Sequence, residues 1–155
     1  MEKGKIQNLI KELIEKTTVK LNEISVVENG PKNIWVSVEV GEPHFFIGRE
    51  GEGLHALNHL ARRIIENKTP SPIEGVSVLV DINGFQKKRV ENIRAIAHMM
   101  SERARYFKSN IEVDPMSAFE RRVIHEFLSD ASDLKTESIG VGRERRVVIK
   151  YIGAI

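Results

Sequence analysis

The apolar residues of this chain repeat with two different periods, and the order of those periods limits what the chain can fold into. Residues 5–16 and 52–66 place apolar side chains at helical spacing, whereas residues 34–40 alternate apolar and polar side chains as a strand does. Residues 19–27 and 76–80 predict further short strands. Helices interleaved with short strands predict an α+β fold.

Turn residues divide the chain into segments. Glu28-Asn29-Gly30-Pro31 predicts a turn and Pro70-Ser71-Pro72 predicts a loop, and both lie between strands of the first half. Asn83-Gly84 predicts the boundary between two small α/β modules. The expected segments are an N-terminal helix in residues 1–17, a first module in residues 18–83 and a second module in residues 84–155.

The second half predicts two helices followed by a hairpin. A long helix comes first. Ser117 and Glu120 then match a capping box, which predicts a helix from Ala118 to about Leu128. Strands are predicted at residues 134–139 and 145–152, joined by a glycine-rich turn. This module is therefore predicted to pack helices on a small antiparallel sheet.

The composition excludes several classes of protein. The chain has no cysteine, so it forms neither a disulfide framework nor a thiolate metal site. No apolar run approaches the roughly 18 residues of a membrane span. The N-terminus has no signal-peptide apolar region. We therefore expect a cytoplasmic protein that does not insert into a membrane.

Positive charge is concentrated in the second half. Residues 1–84 contain 10 Lys and Arg against 12 Asp and Glu, and residues 85–155 contain 14 against 10, which together make the 24 and 22 of the whole chain. A net positive half attracts polyanions, so the second half is favoured as the nucleic-acid-binding half.

An arginine and a histidine stand four residues apart in the segment Glu120-Arg121-Arg122-Val123-Ile124-His125. Four residues are about one helical turn, so Arg121 and His125 are expected on the same face of the predicted helix. A guanidinium beside an imidazole presents several donors to one spot, and phosphate suits that geometry. The alternative is a surface pair that packs on the helix or bonds to Glu120 or to the hairpin.

A Gly-x-x-Gly sequence, Gly48-Arg49-Glu50-Gly51, precedes the helix predicted at residues 52–66. Its glycines permit a tight turn and a close approach of backbone to ligand, and the helix N-terminus favours phosphate. With strands before it and a helix and strand after it, the loop resembles that of a KH RNA-binding domain. This implies nucleic-acid contact through Gly48, Arg49 and Gly51. The carboxylates of Glu50 and Glu52 weaken that attraction, and an ordinary helix-capping turn is the alternative.

Residues 85–155 resemble the R-three-H domain family, which is named for an Arg-x-x-x-His spacing. Five elements match in order: Asp114-Pro115-Met116, Glu120-Arg121-Arg122, His125, Thr136-x-Ser138-x-Gly140 and Arg145-Arg146-Val147-Val148-Ile149. The resemblance implies that Arg121 and His125 bind single-stranded nucleic acid. Arg122, Arg145 and Arg146 are further candidates. Since Arg145 and Arg146 begin a strand and point to opposite faces, one of them can join the site directly.

The long helix of the second half offers another candidate surface. Four basic residues lie close to whole turns of it: Lys87, Arg94, His98 and Arg105. Of these, Arg94 and Arg105 are taken as candidate contacts to a nucleic-acid backbone. The alternative is a solvated face with salt bridges to Glu91 and Glu102.

Metal ligands and stacking rings are scarce. His55 and His59 have metal-ligand spacing, but Glu52 is the only third ligand nearby, so no metal is expected. Three aromatic residues could stack on bases: Trp35, Tyr106 and Tyr151. The six phenylalanines are expected to be mostly buried. Backbone contacts are thus expected to dominate, with low sequence specificity.

A KH-like half followed directly by an R-three-H half resembles the bacterial Jag (SpoIIIJ-associated) family, from about residue 18 onward. Typical members carry an extra N-terminal Jag domain, where residues 1–17 predict only a short helix. The resemblance implies binding of small or messenger RNA and a link to cell elongation and division or to membrane-protein insertion. Some members pair with a stand-alone KH protein. Single-stranded DNA as a ligand and a dimeric state are open alternatives.

The leading hypothesis is a non-catalytic single-stranded RNA-binding protein that needs no cofactor. One alternative is a nuclease in which His125 is the general acid or base and Arg121 stabilises charge. That mechanism lacks a clear second proton-transfer group. The other alternative is a protein-interaction module whose acidic Gly-x-x-Gly loop does not bind RNA.

Overall fold

The computed structural model describes residues 3–28, 33–68 and 77–153. The chain folds into two compact units, residues 1–87 and residues 88–155. The described residues form five helices and two three-stranded sheets, which confirms the α+β class. No helix in this part of the chain is both long and apolar enough to cross a membrane.

The first unit orders its elements as helix, strand, strand, helix, helix, strand. These are α1 (Lys3–Glu15), β1 (Leu21–Glu28), β2 (Asn33–Val40), α2 (Pro43–Ile47), α3 (Glu52–Lys68) and β3 (Ser77–Ile82). Strand β2 is central, antiparallel to β1 and parallel to β3. The parallel pair requires a crossover, which α2 and α3 provide.

The core of the first unit lies on one face of this sheet. Three valines of β2 alternate inward, as the period of two predicts. Helix α1 adds three isoleucines spaced by about one turn, so α1 belongs to this core. These buried residues are Val36, Val38, Val40, Ile6, Ile10 and Ile14.

Polar side chains form hydrogen bonds at the outer edge of β3 and just after its end. The buried Asn58 amide of α3 donates to the Val80 carbonyl at 3.0 Å and accepts from the Val80 N–H at 2.7 Å. The buried Asp81 carboxylate accepts from the backbone N–H groups of Gln86 and Lys87 at 2.7 and 3.2 Å. These bonds hold α3 to the sheet and order the chain that follows β3.

The second unit is built on a small antiparallel sheet. Its elements are the main part of α4 (Phe85–Phe107), then β4 (Ile111–Glu112), α5 (Ala118–Phe127), β5 (Leu134–Ile139) and β6 (Arg146–Tyr151). Strand β6 is central, and both β4 and β5 pair with it antiparallel. The predicted hairpin and the predicted capped helix are both present.

Several local features differ from the sequence-based expectations. Neither helix α2 (Pro43–Ile47) nor strand β4 was predicted from the sequence. The expectation that the phenylalanines are mostly buried is wrong, because Phe45, Phe107 and Phe127 are 58%, 60% and 42% exposed. Phe107 and Phe127 are the last residues of their helices. Phe45 adjoins Phe46 in a single short helix, so only one of the two rings points inward.

Three predicted features lie wholly or partly outside the described residues. They are residues 29–31 of the turn predicted at 28–31, the loop predicted at 70–72, and residue 76 of the strand predicted at 76–80.

Candidate nucleic-acid interface

Helix α5 begins with the predicted capping box. The Ser117 hydroxyl accepts from the Glu120 backbone N–H at 3.3 Å, and the Glu120 carboxylate accepts from the Ser117 N–H at 3.1 Å. The second carboxylate oxygen accepts from Arg89 Nε at 2.6 Å. Helix α5 is thereby fixed to α4, and Arg121 follows directly after this anchor.

Arg121 lines a surface cavity of about 630 Å³ at the N-terminal end of α5. Its Nη1 donates to the Met116 carbonyl at 2.8 Å, which orients the guanidinium. Arg143 and Arg145 line the same cavity, and no Asp or Glu is among the described residues that line it. Three guanidinium groups in one lining create a positive field that suits phosphate.

The hairpin brings two of these arginines to the helix. The Met116 N–H donates to the Arg145 carbonyl at 3.3 Å, so the segment before α5 runs beside the start of β6. Arg145 Nη1 donates to the Gly140 carbonyl at 2.8 Å. Arg143 is exposed in a 3-10 turn, Gly142–Glu144. The cavity is thus assembled from two segments that are well separated in sequence.

The His125 imidazole is held between two hydroxyl groups of β5. Its Nδ1 lies 2.6 Å from Thr136 Oγ1, and its Nε2 lies 2.9 Å from Ser138 Oγ. Burial, and then the positive charge of Arg121, keep the pKa of the imidazole below its ordinary value. The ring is therefore neutral at pH 7, and the bond to the hairpin that the sequence left open is present.

The other arginine candidates of the hairpin and α5 do not line the cavity. Arg146 pairs with Glu112 and Glu144, on the opposite side of the strand start from Arg145. Arg122 is exposed and is not a lining residue.

The candidates of α4 are in two different situations. Arg105 donates from Nε and Nη2 to both oxygens of Asp133 and from Nη1 to Glu102, so its fork is engaged. Arg94 is exposed and makes no ion pair within the described part of the chain. His98 is exposed as well.

The Gly-x-x-Gly loop lies between α2 and α3 in the first unit. Gly48 and Gly51 have φ values of +68° and +85°, in the region that favours glycine. Arg49 is exposed, and Glu52 lies in the first turn of α3. The Glu50 side chain is outside the described part. The described side chains at this loop thus supply one positive charge, from Arg49, and one negative charge, from Glu52.

His55 and His59 are exposed on α3. Within residues 3–28, 33–68 and 77–153, no group of three or more His, Cys, Asp or Glu side chains is placed to hold a metal ion.

Sequence reasoning missed Arg143 and assigned no contact to the Thr136 and Ser138 hydroxyls. Their Thr-x-Ser spacing places both hydroxyls on one face of a strand, which was a usable signal. Arg143 had no such signal, because only the folded turn brings it to the end of α5.

Comparison with known proteins adds an independent result for this region. Residues 91–151 match the family model of the R-three-H domain. That range contains Arg121, Arg143, Arg145 and His125.

Curated relatives match a larger part of the chain. An RNA-binding protein KhpB of Bacillus subtilis is 28% identical over 127 residues, which cover 81% of this chain and 60% of the relative. An RNA-binding protein KhpB of Clostridium symbiosum is 26% identical over 151 residues, covering 95% and 67%. One of Streptococcus pneumoniae is 27% identical over 118 residues, covering 76% and 35%.

The chain thus spans between about a third and two thirds of the length of these relatives. Its second half is similar to R-three-H domains, and most of its length is similar to bacterial proteins named as RNA-binding.

Proposed function

We propose that this chain is a bacterial, non-catalytic RNA-binding protein that holds the phosphates of a single strand at the start of α5. The observation that carries the proposal is the cavity lined by Arg121, Arg143 and Arg145, within the range that matches the R-three-H domain. The relatives named as RNA-binding proteins support RNA as the ligand.

The chemistry of the cavity favours phosphate over bases. Guanidinium groups donate two parallel hydrogen bonds to phosphate oxygens, and such contacts position a strand without reading its sequence. We therefore expect low sequence specificity and a strong dependence of affinity on salt concentration.

We also propose that the first unit is a KH-like module. Its order of helix, strand, strand, helix, helix, strand, with the Gly-x-x-Gly loop between α2 and α3, supports this assignment. By its resemblance to the Jag family, the chain would act in post-transcriptional regulation linked to cell elongation, division or membrane-protein biogenesis. A stand-alone KH protein is the proposed protein partner.

A nuclease is less well supported. Both oxygens of Glu120 are engaged by Ser117 and Arg89, and both ring nitrogens of His125 contact hydroxyl groups. Neither Glu120 nor His125 is among the described residues that line the cavity.

The test is to replace Arg121 and His125 together by alanine and to measure the affinity for single-stranded RNA at several salt concentrations. Loss of a charged hydrogen-bond donor from a phosphate site corresponds to a Kd at least about tenfold weaker. The slope of log Kd against log salt should fall by about 0.7 for each phosphate that the variant no longer binds. Arg103→Ala removes one exposed charge elsewhere on α4 and should change affinity little. Unchanged affinity in the double variant would refute the proposal.

A further inference from the structure

The His125 ring limits which hydroxyl proton is available to a ligand. A neutral imidazole has one N–H donor and one nitrogen acceptor. Thr136 and Ser138 each occupy one of its nitrogens. One hydroxyl must therefore donate its single proton to the ring, while the other accepts from the ring and keeps its own proton free.

The two distances distinguish these roles. The 2.6 Å contact between Thr136 Oγ1 and Nδ1 has the short length of an O–H donor, whereas the 2.9 Å contact between Nε2 and Ser138 Oγ has the usual length of an N–H donor. This difference favours Thr136 as the donor to Nδ1 and the Nε2–H as the donor to Ser138, an assignment that leaves the Ser138 proton free.

Ser138 does not line the cavity, but two links connect it to the cavity arginines. It stands two residues before Gly140, whose carbonyl accepts from Arg145. Its partner His125 is close enough to Arg121 for that charge to act on the ring. Ser138 thus lies on the hairpin that carries Arg145, and its partner His125 lies on the helix that carries Arg121.

We propose that the Ser138 hydroxyl donates directly to an RNA phosphate oxygen beside Arg121, and that His125 is a positioning residue that orients this hydroxyl. This inference rests on the proposed function and sharpens it. The imidazole stays neutral in the complex and makes no phosphate contact of its own. Thr136 serves to hold the ring in its Nε2–H form.

The test compares Ser138→Ala with Thr136→Val in the full chain, using a fluorescent single-stranded RNA. Ser138→Ala removes the donor, and the Kd should weaken about tenfold. Thr136→Val has nearly the same shape but removes the donor that holds the ring in its Nε2–H form, so its Kd should weaken by less than that of Ser138→Ala, which removes the phosphate donor itself. Ser138→Thr keeps a hydroxyl and should bind like the original chain. Circular dichroism of each variant reports whether it is folded.

Two further measurements separate a positioning role from a structural one. His125→Gln keeps a neutral donor and acceptor and should retain much more affinity than His125→Ala. Long-range ¹H–¹⁵N correlation spectra of the original chain should show the Nε2–H tautomer. The Nδ1–H tautomer, or full affinity in Ser138→Ala, would overturn the inference.

These outcomes are distinct from failure of the proposed function. If Ser138→Ala binds RNA normally while Arg121→Ala does not, only the hydroxyl assignment fails. If Arg121→Ala also binds normally, the phosphate site itself is wrong.

Discussion

At the scale of single residues, neutrality of His125 is built into its surroundings. A protonated ring would have two donors and no acceptor, so it could not accept the Thr136 hydroxyl proton. Its charge would also lie near Arg121 and be partly desolvated, both of which oppose protonation. The sequence predicted that His125 lies on a helix one turn after Arg121, as it does in α5, but it could not show this partner set.

The lowered pKa of His125 predicts that the stability of the folded chain depends on pH. Its folded-state pKa lies below the unfolded value of about 6.5, so the unfolded chain binds more protons between the two values. The stabilisation is complete above the unfolded pKa and is lost as pH falls toward the folded one. In urea unfolding at pH 7.5, 6.5 and 5.5, His125→Gln should therefore lose less stability on acidification than the original chain.

His98→Gln is the matched control, because His98 is exposed on α4. It should keep the pH dependence of the original chain. Parallel stability curves for His125→Gln and the original chain would show that the His125 pKa is not lowered.

At the scale of elements, long periodic segments could be predicted and short ones could not. Helix α3, helix α5 with its capping box and the β5–β6 hairpin follow their sequence patterns. Helix α2 has only five residues and β4 only two, too few for a period to be read. Their positions depend on contacts made after folding, such as the pairing of β4 with β6.

The contact between α2 and α3 leads to a prediction at Gly53. A Cβ there would lie 2.5 Å from the Phe46 carbonyl oxygen and 2.9 Å from that of Ile47. Alanine normally favours a helix over glycine by about 1 kcal/mol, but here the backbone of α2 must move. Gly53→Ala should therefore lower the free energy of unfolding by about 1–3 kcal/mol, as overpacking does.

Gly4→Ala provides the control for helix propensity, since nothing lies within 4 Å of a Cβ at that position of α1. It should leave stability unchanged or raise it by up to about 1 kcal/mol. Urea denaturation measures both variants. Equal stability of the two would mean that the close approach of α2 and α3 is not a constraint.

At the scale of the whole molecule, charge and similarity both favour the second unit as the RNA-binding one. The excess of Lys and Arg lies in residues 85–155, and the R-three-H match lies in residues 91–151. The sequence could predict that division. It could not predict the cavity, because residues 115–121 and 142–145 become neighbours only through the pairing of the chain beside β6.

This difference between the two units predicts how substitutions in different parts of the chain affect the affinity for RNA. Replacing both Arg49 and Glu50 by Asp makes the Gly-x-x-Gly loop more acidic, and Arg103→Asp makes the same change in net charge on α4. If the second unit holds the RNA, both variants should weaken the Kd by no more than about threefold. The Arg121 and His125 double alanine variant should weaken it at least about tenfold.

Salt dependence separates the loop from the helix more sharply than affinity alone. Each phosphate contact contributes about 0.7 to the slope of log K against log salt for a single strand. The loop variant should keep the original slope, because few phosphates are held there, whereas removal of the Arg121 guanidinium should reduce it. A loop variant with both weaker binding and a smaller slope would place the phosphate contacts in the first unit. In that case the backbone N–H groups of the loop would have to attract phosphate strongly enough to offset its repulsion by the Glu52 carboxylate in the first turn of α3.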